Sequence, residues 1–349
     1  MFLCVVSLCI GVALGYVLHT ANPLDYRGGV LYLSSKQFSL IDPLLACEIG
    51  SESSFPEFAP LKVTLAAAIT AQKSAGNAEN VSVYMRTLKS GRWVEIDGDR
   101  PYAPASLLKV FIMMAYYKEA DETDNPGLLD KMIRFEGSPN PGQDDNPGQI
   151  IPHLKTGTYY SVRDTLRQMI VYSDNDALNT LADNFDTGTL TYFELIFKDL
   201  NIPSPVTQRE QDLDFMPARS YAMVFRVLFG STYLSERYSE QALTLLSEAQ
   251  YKEGIVAGVP EGIRVAHKFG VKSITATSTA LNGYNELHDC GIVYYPNHPY
   301  LLCVMTSGKS FQGLQATIKT VSSVAYQWID EYFKKNPTSP AQLGAPVRP

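Results

Sequence analysis

Hydrophobic positions along the chain fall into three regimes. Phe2 to Leu18 is an unbroken apolar run of 17 residues, FLCVVSLCIGVALGYVL. Apolar on every face and free of charge, it is long enough to cross a bilayer and longer than most signal-peptide cores. It predicts an anchor or export segment over residues 1–20, which places the remainder outside the cytoplasm. His19 occupies the place where cleavage wants a small side chain, and a cut after Gly15 leaves a shorter core, so an uncleaved anchor is favoured over secretion. Residues 21–60 lose all periodicity: Asn22-Pro23, Gly28-Gly29, Asp42-Pro43, a SESS stretch, Pro56 and Pro60 read as a tether with one short strand at 30–33.

The third regime, residues 61–335, carries regular patterns. LKVTLAAAITAQKSAG has helical spacing and stops at Gly76; residues 81–88 and 92–98 are β-rich and separated by Lys89-Ser90-Gly91, a hairpin. A long apolar helix opens at Pro104-Ala105-Ser106. Residues 137–149 (GSPNPGQDDNPGQ) are loop, and residues 138–150 are expected to rim a pocket. Helical patterns follow in SVRDTLRQMIVY, DALNTLADNF, MPARSYAMVFRVLF and SEQALTLLSEAQ, then β-rich runs at 264–271, 290–295 and 300–306, a final amphipathic helix and a Pro-rich tail over 336–349. Strands at both ends with an all-helical insertion of about residues 120–255 give an α+β fold, its antiparallel sheet built from the N- and C-terminal parts and flanked by helices.

Composition removes whole classes of function. A net charge of −7 without any basic run longer than Lys334-Lys335 leaves no footprint for nucleic acid. The five histidines form no HxH or HExxH and the five cysteines no CxxC, so no metal or other cofactor is expected. Of the cysteines beyond the anchor, Cys47, Cys290 and Cys303, the last two read as small core residues flanking a hairpin.

Candidate chemistry lies in three places. Ser106-Leu-Leu-Lys109 sets a hydroxyl and an amine one helical turn apart at a helix start. A desolvated lysine near that dipole can lose its proton and activate the serine, and the helix start offers a backbone N–H to an oxyanion. Ser173-Asp174-Asn175 falls on a turn between two helices, where Ser173 could shuttle a proton and Asn175 hold Lys109. Lys268-Phe269-Gly270 puts a cation on a strand, followed by a glycine against which substrate can lie. Lys155-Thr156-Gly157 precedes Ser173 and reads as a turn.

In that order, SxxK, SDN and KxG resemble the motifs of the class A β-lactamases and the wider penicillin-recognising serine enzymes. The resemblance spans about residues 61–335 and implies a β-lactamase/transpeptidase-like fold. It further implies Ser106 as nucleophile, Lys109 as acylation base, Ser173 as proton shuttle, and Asn175, Lys268, Gly270 and Val271 as substrate-binding residues. The N–H groups of Ser106 and Val271 would form the oxyanion hole. The deacylating glutamate of the family maps to Glu210, in EQDLD, where Asp214 replaces the usual Asn. Phe269 replaces the hydroxyl residue that helps bind the substrate carboxylate, leaving Lys272, Ser273 or Ser173 for that task. The implied partner is a β-lactam or a peptidoglycan peptide. A D,D-peptidase and a non-catalytic cell-wall-binding module are the alternatives, and the membrane is met through the N-terminal segment.

Overall fold

Short apolar strands from the two ends of the chain cannot bury themselves singly, and in the computed structural model they pair. It describes residues 39–41, 56–138, 152–204, 214–274 and 284–336. The Phe2–Leu18 run, the short strand at 30–33, Cys47, Glu210, most of the pocket-rim loop and nearly all of the Pro-rich tail lie outside the described residues. Among the described residues no helix is long and apolar enough to cross a membrane.

The elements in chain order begin with helix α1 (Ala59–Ser74), strands β1 (Asn80–Thr87), β2 (Trp93–Ile96) and β3 (Pro101–Tyr102), helix α2 (Lys109–Glu122), and strands β4 (Met132–Arg134) and β5 (Tyr159–Ser161). Helices α3 (Val162–Val171), α4 (Asn175–Asp183) and α5 (Thr187–Asp199) follow, then β6 (Met216–Pro217), α6 (Ala218–Phe229) and α7 (Glu236–Ser247). The chain ends with β7 (Val265–Ile274), β8 (Tyr284–Val293), β9 (Tyr300–Gly308) and α8 (Phe311–Lys335). The main sheet runs β2-β1-β9-β8-β7, all antiparallel where paired. Thus the N-terminal hairpin docks against the C-terminal meander, as the distribution of strands predicts.

Side chains alternate across this sheet as the pleat requires. Val81, Val83 and Met85 of β1 and Leu302 and Val304 of β9 join one core beneath α1 and α8. Tyr84, Leu301, Cys303 and Met305 face the other core, built from the helical half. Its centre is α2, buried from Lys109 through Tyr117 without interruption, which explains why that stretch is apolar on all faces. Helix α1 buries only Leu61, Leu65 and Ile69, a single stripe, and Gly76 just past its end takes φ +75°.

Five features depart from expectation. The insertion is mainly but not wholly helical, since β4 pairs with β5 and β6 pairs with β3. Helix α5 was not evident in the periodicity; the Asp186 carboxylate caps it by accepting the Thr189 N–H at 2.9 Å. Strand β8 begins at Tyr284, six residues before the β-rich run in the sequence, because polar residues at Asn285, Glu286, His288 and Asp289 conceal it. Cys290 and Cys303 are not merely small core residues: they stand directly opposite each other on β8 and β9 and form a disulfide. Pairing register, invisible in a single sequence, brings them together. Finally, within the stretch read as a tether, Ser39–Ile41 lies against the domain. Glu240 of α7 accepts from the Ser39 N–H and Leu40 N–H at 3.1 and 3.0 Å, Tyr294 donates to Leu40 O at 2.9 Å, and Leu40 and Ile41 enter the helical core.

Candidate active site

Ser106 stands in a 3-10 turn, Ala105–Leu108, that runs directly into α2, so Lys109 is the first residue of the α-helix. Pro104 leads into the turn and its carbonyl accepts the Leu107 N–H at 2.9 Å. Between them Ala105 takes φ +47°, a left-handed conformation that costs a residue with a Cβ about 1–3 kcal/mol. Such a backbone persists only where its surroundings hold it. Ser106 remains partly exposed, whereas Lys109 is buried.

Ser173 also has positive φ, +59°, in the short link between α3 and α4. Asp174 caps α4 through Oδ1, which accepts the Asp176 and Ala177 N–H groups at 2.7 and 3.1 Å, while its Oδ2 accepts from Gln168 Nε2 at 2.9 Å. This fixes Ser173 and Asn175 on either side. Lys109 Nζ donates to Asn175 Oδ1 at 2.6 Å, to the Ser173 carbonyl, and to Ser173 Oγ at 3.3 Å.

Lys268, on edge strand β7, reaches the same hydroxyl. Its Nζ donates to Ser173 Oγ at 2.7 Å and to Phe269 O at 2.8 Å. Two buried amines therefore converge on one serine oxygen. Burial first, and the charge of Lys109 second, hold the Lys268 amine well below its ordinary value, with Asp289 opposing.

Strand β7 closes the sheet at one edge, so alternate backbone groups face away from β8. Gly270 lets this edge approach the Ser106 turn: a Cβ there would lie 2.8 Å from Pro104 O and 3.1 Å from Leu107 Cγ. Val271 follows, partly exposed. Phe269 is buried and stacks on Tyr251 at 4.1 Å between ring centroids, with Lys268 Nζ 4.3 Å from its own ring. Of the three residues considered for a substrate carboxylate, Ser173 is buried between the two lysines, Lys272 is partly exposed and Ser273 is exposed. Lys155, Thr156 and Gly157 form a turn, with Thr158 N–H donating to Lys155 O at 3.1 Å and Gly157 at φ +77°.

The structure thus brings Ser106, Lys109, Ser173, Asn175, Lys268, Gly270 and Val271 to one edge of the sheet. Glu210 lies outside the described residues. Asp214, which ends its motif, has a carboxyl raised above the usual range by burial and, next, by the negative charge of Glu286.

Sequence reasoning missed the groups behind the Ser106 turn. Glu286 Oε2 accepts the Ala103 N–H at 3.1 Å, and His288 Nε2 lies 3.0 Å from Ala103 O and 3.5 Å from Glu286 Oε2. Tyr221 donates to Leu107 O at 3.1 Å. The available signal was the alternation Glu286, His288, Cys290, Ile292, which puts four residues on the site face of one strand.

The sequence matches none of the curated proteins compared. Among solved structures, a β-lactamase from Chitinophaga pinensis is similar at TM-score 0.62 and 19% identity, over 76% of this chain and 99% of that one. A class A β-lactamase representative from Bacteroides cellulosilyticus gives 0.62 and 18%, over 78% and 99%. A mutant of PBP-A, solved as an acyl-enzyme complex with penicillin G, gives 0.59 and 20%, over 76% and 96%. These likenesses establish the fold. The model of the Beta-lactamase enzyme family matches residues 61–329, most of the chain and every described motif of the site, and the protein belongs to that family.

Proposed function

We propose that the protein is a class A-type serine hydrolase that opens a β-lactam amide through an acyl-Ser106 intermediate. The observation that carries this reading is the convergence of Lys109 and Lys268 on Ser173 Oγ beside the Ser106 turn. Lys109, as the free amine, takes the Ser106 hydroxyl proton while Oγ bonds to the lactam carbonyl carbon. The N–H groups of Ser106 and Val271 receive the oxyanion. As the C–N bond breaks, Ser173 delivers a proton to the leaving nitrogen and recovers one from Lys109; Lys268 stabilises the electron-rich Ser173 oxygen, and Asn175 holds Lys109 in place. Water activated by Glu210 then cleaves the ester and returns the proton to Ser106. With the apolar N-terminal run, the family membership also supports a location in the cell envelope, attached to the membrane.

The buried Phe269 favours a second reading, a D,D-peptidase acting on peptidoglycan peptides, because a hydroxyl expected beside the lactam carboxylate is replaced by an aromatic ring committed to Tyr251.

A time course of the full-length chain with a chromogenic cephalosporin and a fluorescent penicillin separates the readings. Turnover of many equivalents supports the β-lactamase. Labelling that stops at one equivalent supports the peptidase, and a wild-type chain that takes neither would leave a binding module. Ser106→Ala is expected to take no label; residual covalent label in it would overturn the assignment of the nucleophile.

A further inference from the structure

We propose that Glu286 and His288 are positioning residues for the acylation step, holding the Ala103 peptide groups so that Ser106 stays aimed at the pocket. This rests on Ser106 being the nucleophile. Glu286 is 2% exposed and His288 0%. Their polar atoms converge on one residue. The Glu286 carboxylate accepts the Ala103 N–H, and the His288 ring meets the Ala103 carbonyl.

The ring's other partner settles its role. Thr306 N–H donates to His288 Nδ1 at 3.3 Å, so Nδ1 is the acceptor and Nε2 carries the hydrogen. Nε2–H therefore donates to Ala103 O, with Glu286 Oε2 alongside at 3.5 Å. Tyr102 packs edge-on against the imidazole at 5.2 Å, which resists rotation of the ring.

Both backbone groups of Ala103 are thus bound by side chains of a single strand, three residues before Ser106. Between the clamp and the nucleophile lies Ala105 in its left-handed conformation. Strain of that kind relaxes when one anchor is released, and Tyr221 already fixes the far side through Leu107 O. The clamp and Tyr221 bracket Ser106 from opposite ends of the same short segment. Loss of the clamp lets the turn unwind toward Pro101, carrying the serine hydroxyl out of line with its base, and about 1 Å of displacement costs about 100-fold in rate.

The test compares Glu286→Gln, which retains an oxygen to accept from Ala103, with Glu286→Asp, which keeps the charge and loses one methylene of reach. Stopped-flow labelling with fluorescent penicillin yields the noncovalent Kd and the acylation rate separately. Hydrogen exchange at the Ala103 amide reads the clamp without any reaction. The Asp variant should acylate about 100-fold more slowly with Kd unchanged and exchange its Ala103 amide faster. The Gln variant should stay within threefold on both counts. Equal acylation rates in all three proteins, or a loss in Kd matching the loss in rate, would overturn the proposal. Wild-type protein that takes no label at all sinks the nucleophile assignment instead, while the exchange measurement still reports on the clamp.

Discussion

At the scale of single residues, the buried Lys268 gives the fold a pH dependence. Lys268 has its folded pKa below its unfolded value, so between those two values the unfolded chain binds a proton that the native protein does not. Its contribution to stability therefore rises with pH across that interval, is complete above about 10.5, and is lost as pH falls through the depressed value. The stability of the wild type relative to Lys268→Met should accordingly increase from neutral pH toward pH 10, measured by urea unfolding. A difference that does not vary with pH would mean that Lys268 titrates alike in both states. Ser106, Lys109, Ser173, Asn175 and Lys268 were all legible in the sequence, because the first pair is fixed by helical spacing and the rest by their order along the chain. Glu286 and His288 were not. Their task depends on which residue of a distant turn lies across from them, and no local pattern encodes that.

Elements show where local patterns suffice. The stripe of α1, the hairpin of β1 and β2 and the amphipathic α8 were readable because each has one buried face and clear punctuation. Helix α5 buries only Thr189, Ile196 and Phe197, too sparse a stripe to stand out. Strand β8 was half hidden because four of its first six residues are polar and most of them are buried. Strand β7 comes against the Ser106 turn at Gly270. Backbone lies on the far side of that gap, so Gly270→Ala forces β7 and the Pro104 carbonyl apart. In the proposed mechanism the oxyanion site is shared between the separated segments, so acylation in that variant should fall by about 100-fold. Labelling at the wild-type rate would show that the gap opens without disturbing the reacting groups.

On the scale of the whole molecule, one sheet carries two cores, and the site lies where its edge meets the helical half. The α+β class and the helical insertion followed from the distribution of strands, but the docking of Ser39–Ile41 could not, because three residues carry no periodicity. Glu240→Ala removes the acceptor for two N–H groups and the Ser39 hydroxyl. A loss of about 1–3 kcal/mol is expected, lowering Tm by several degrees. An unchanged Tm in calorimetry would show that this contact adds nothing to the folded domain.

The bridge between β8 and β9 has a different kind of consequence. Both cysteines are fully buried on the sheet face covered by the helical half. Exchange with a thiol requires that the attacking sulfur reach the bond in line, and the closed domain denies that approach. The oxidation state of the pair is therefore decided while the chain is still open and is carried unchanged afterwards. In the native protein those two sulfurs are a memory of the surroundings in which folding took place, indifferent to the surroundings in which the protein later resides.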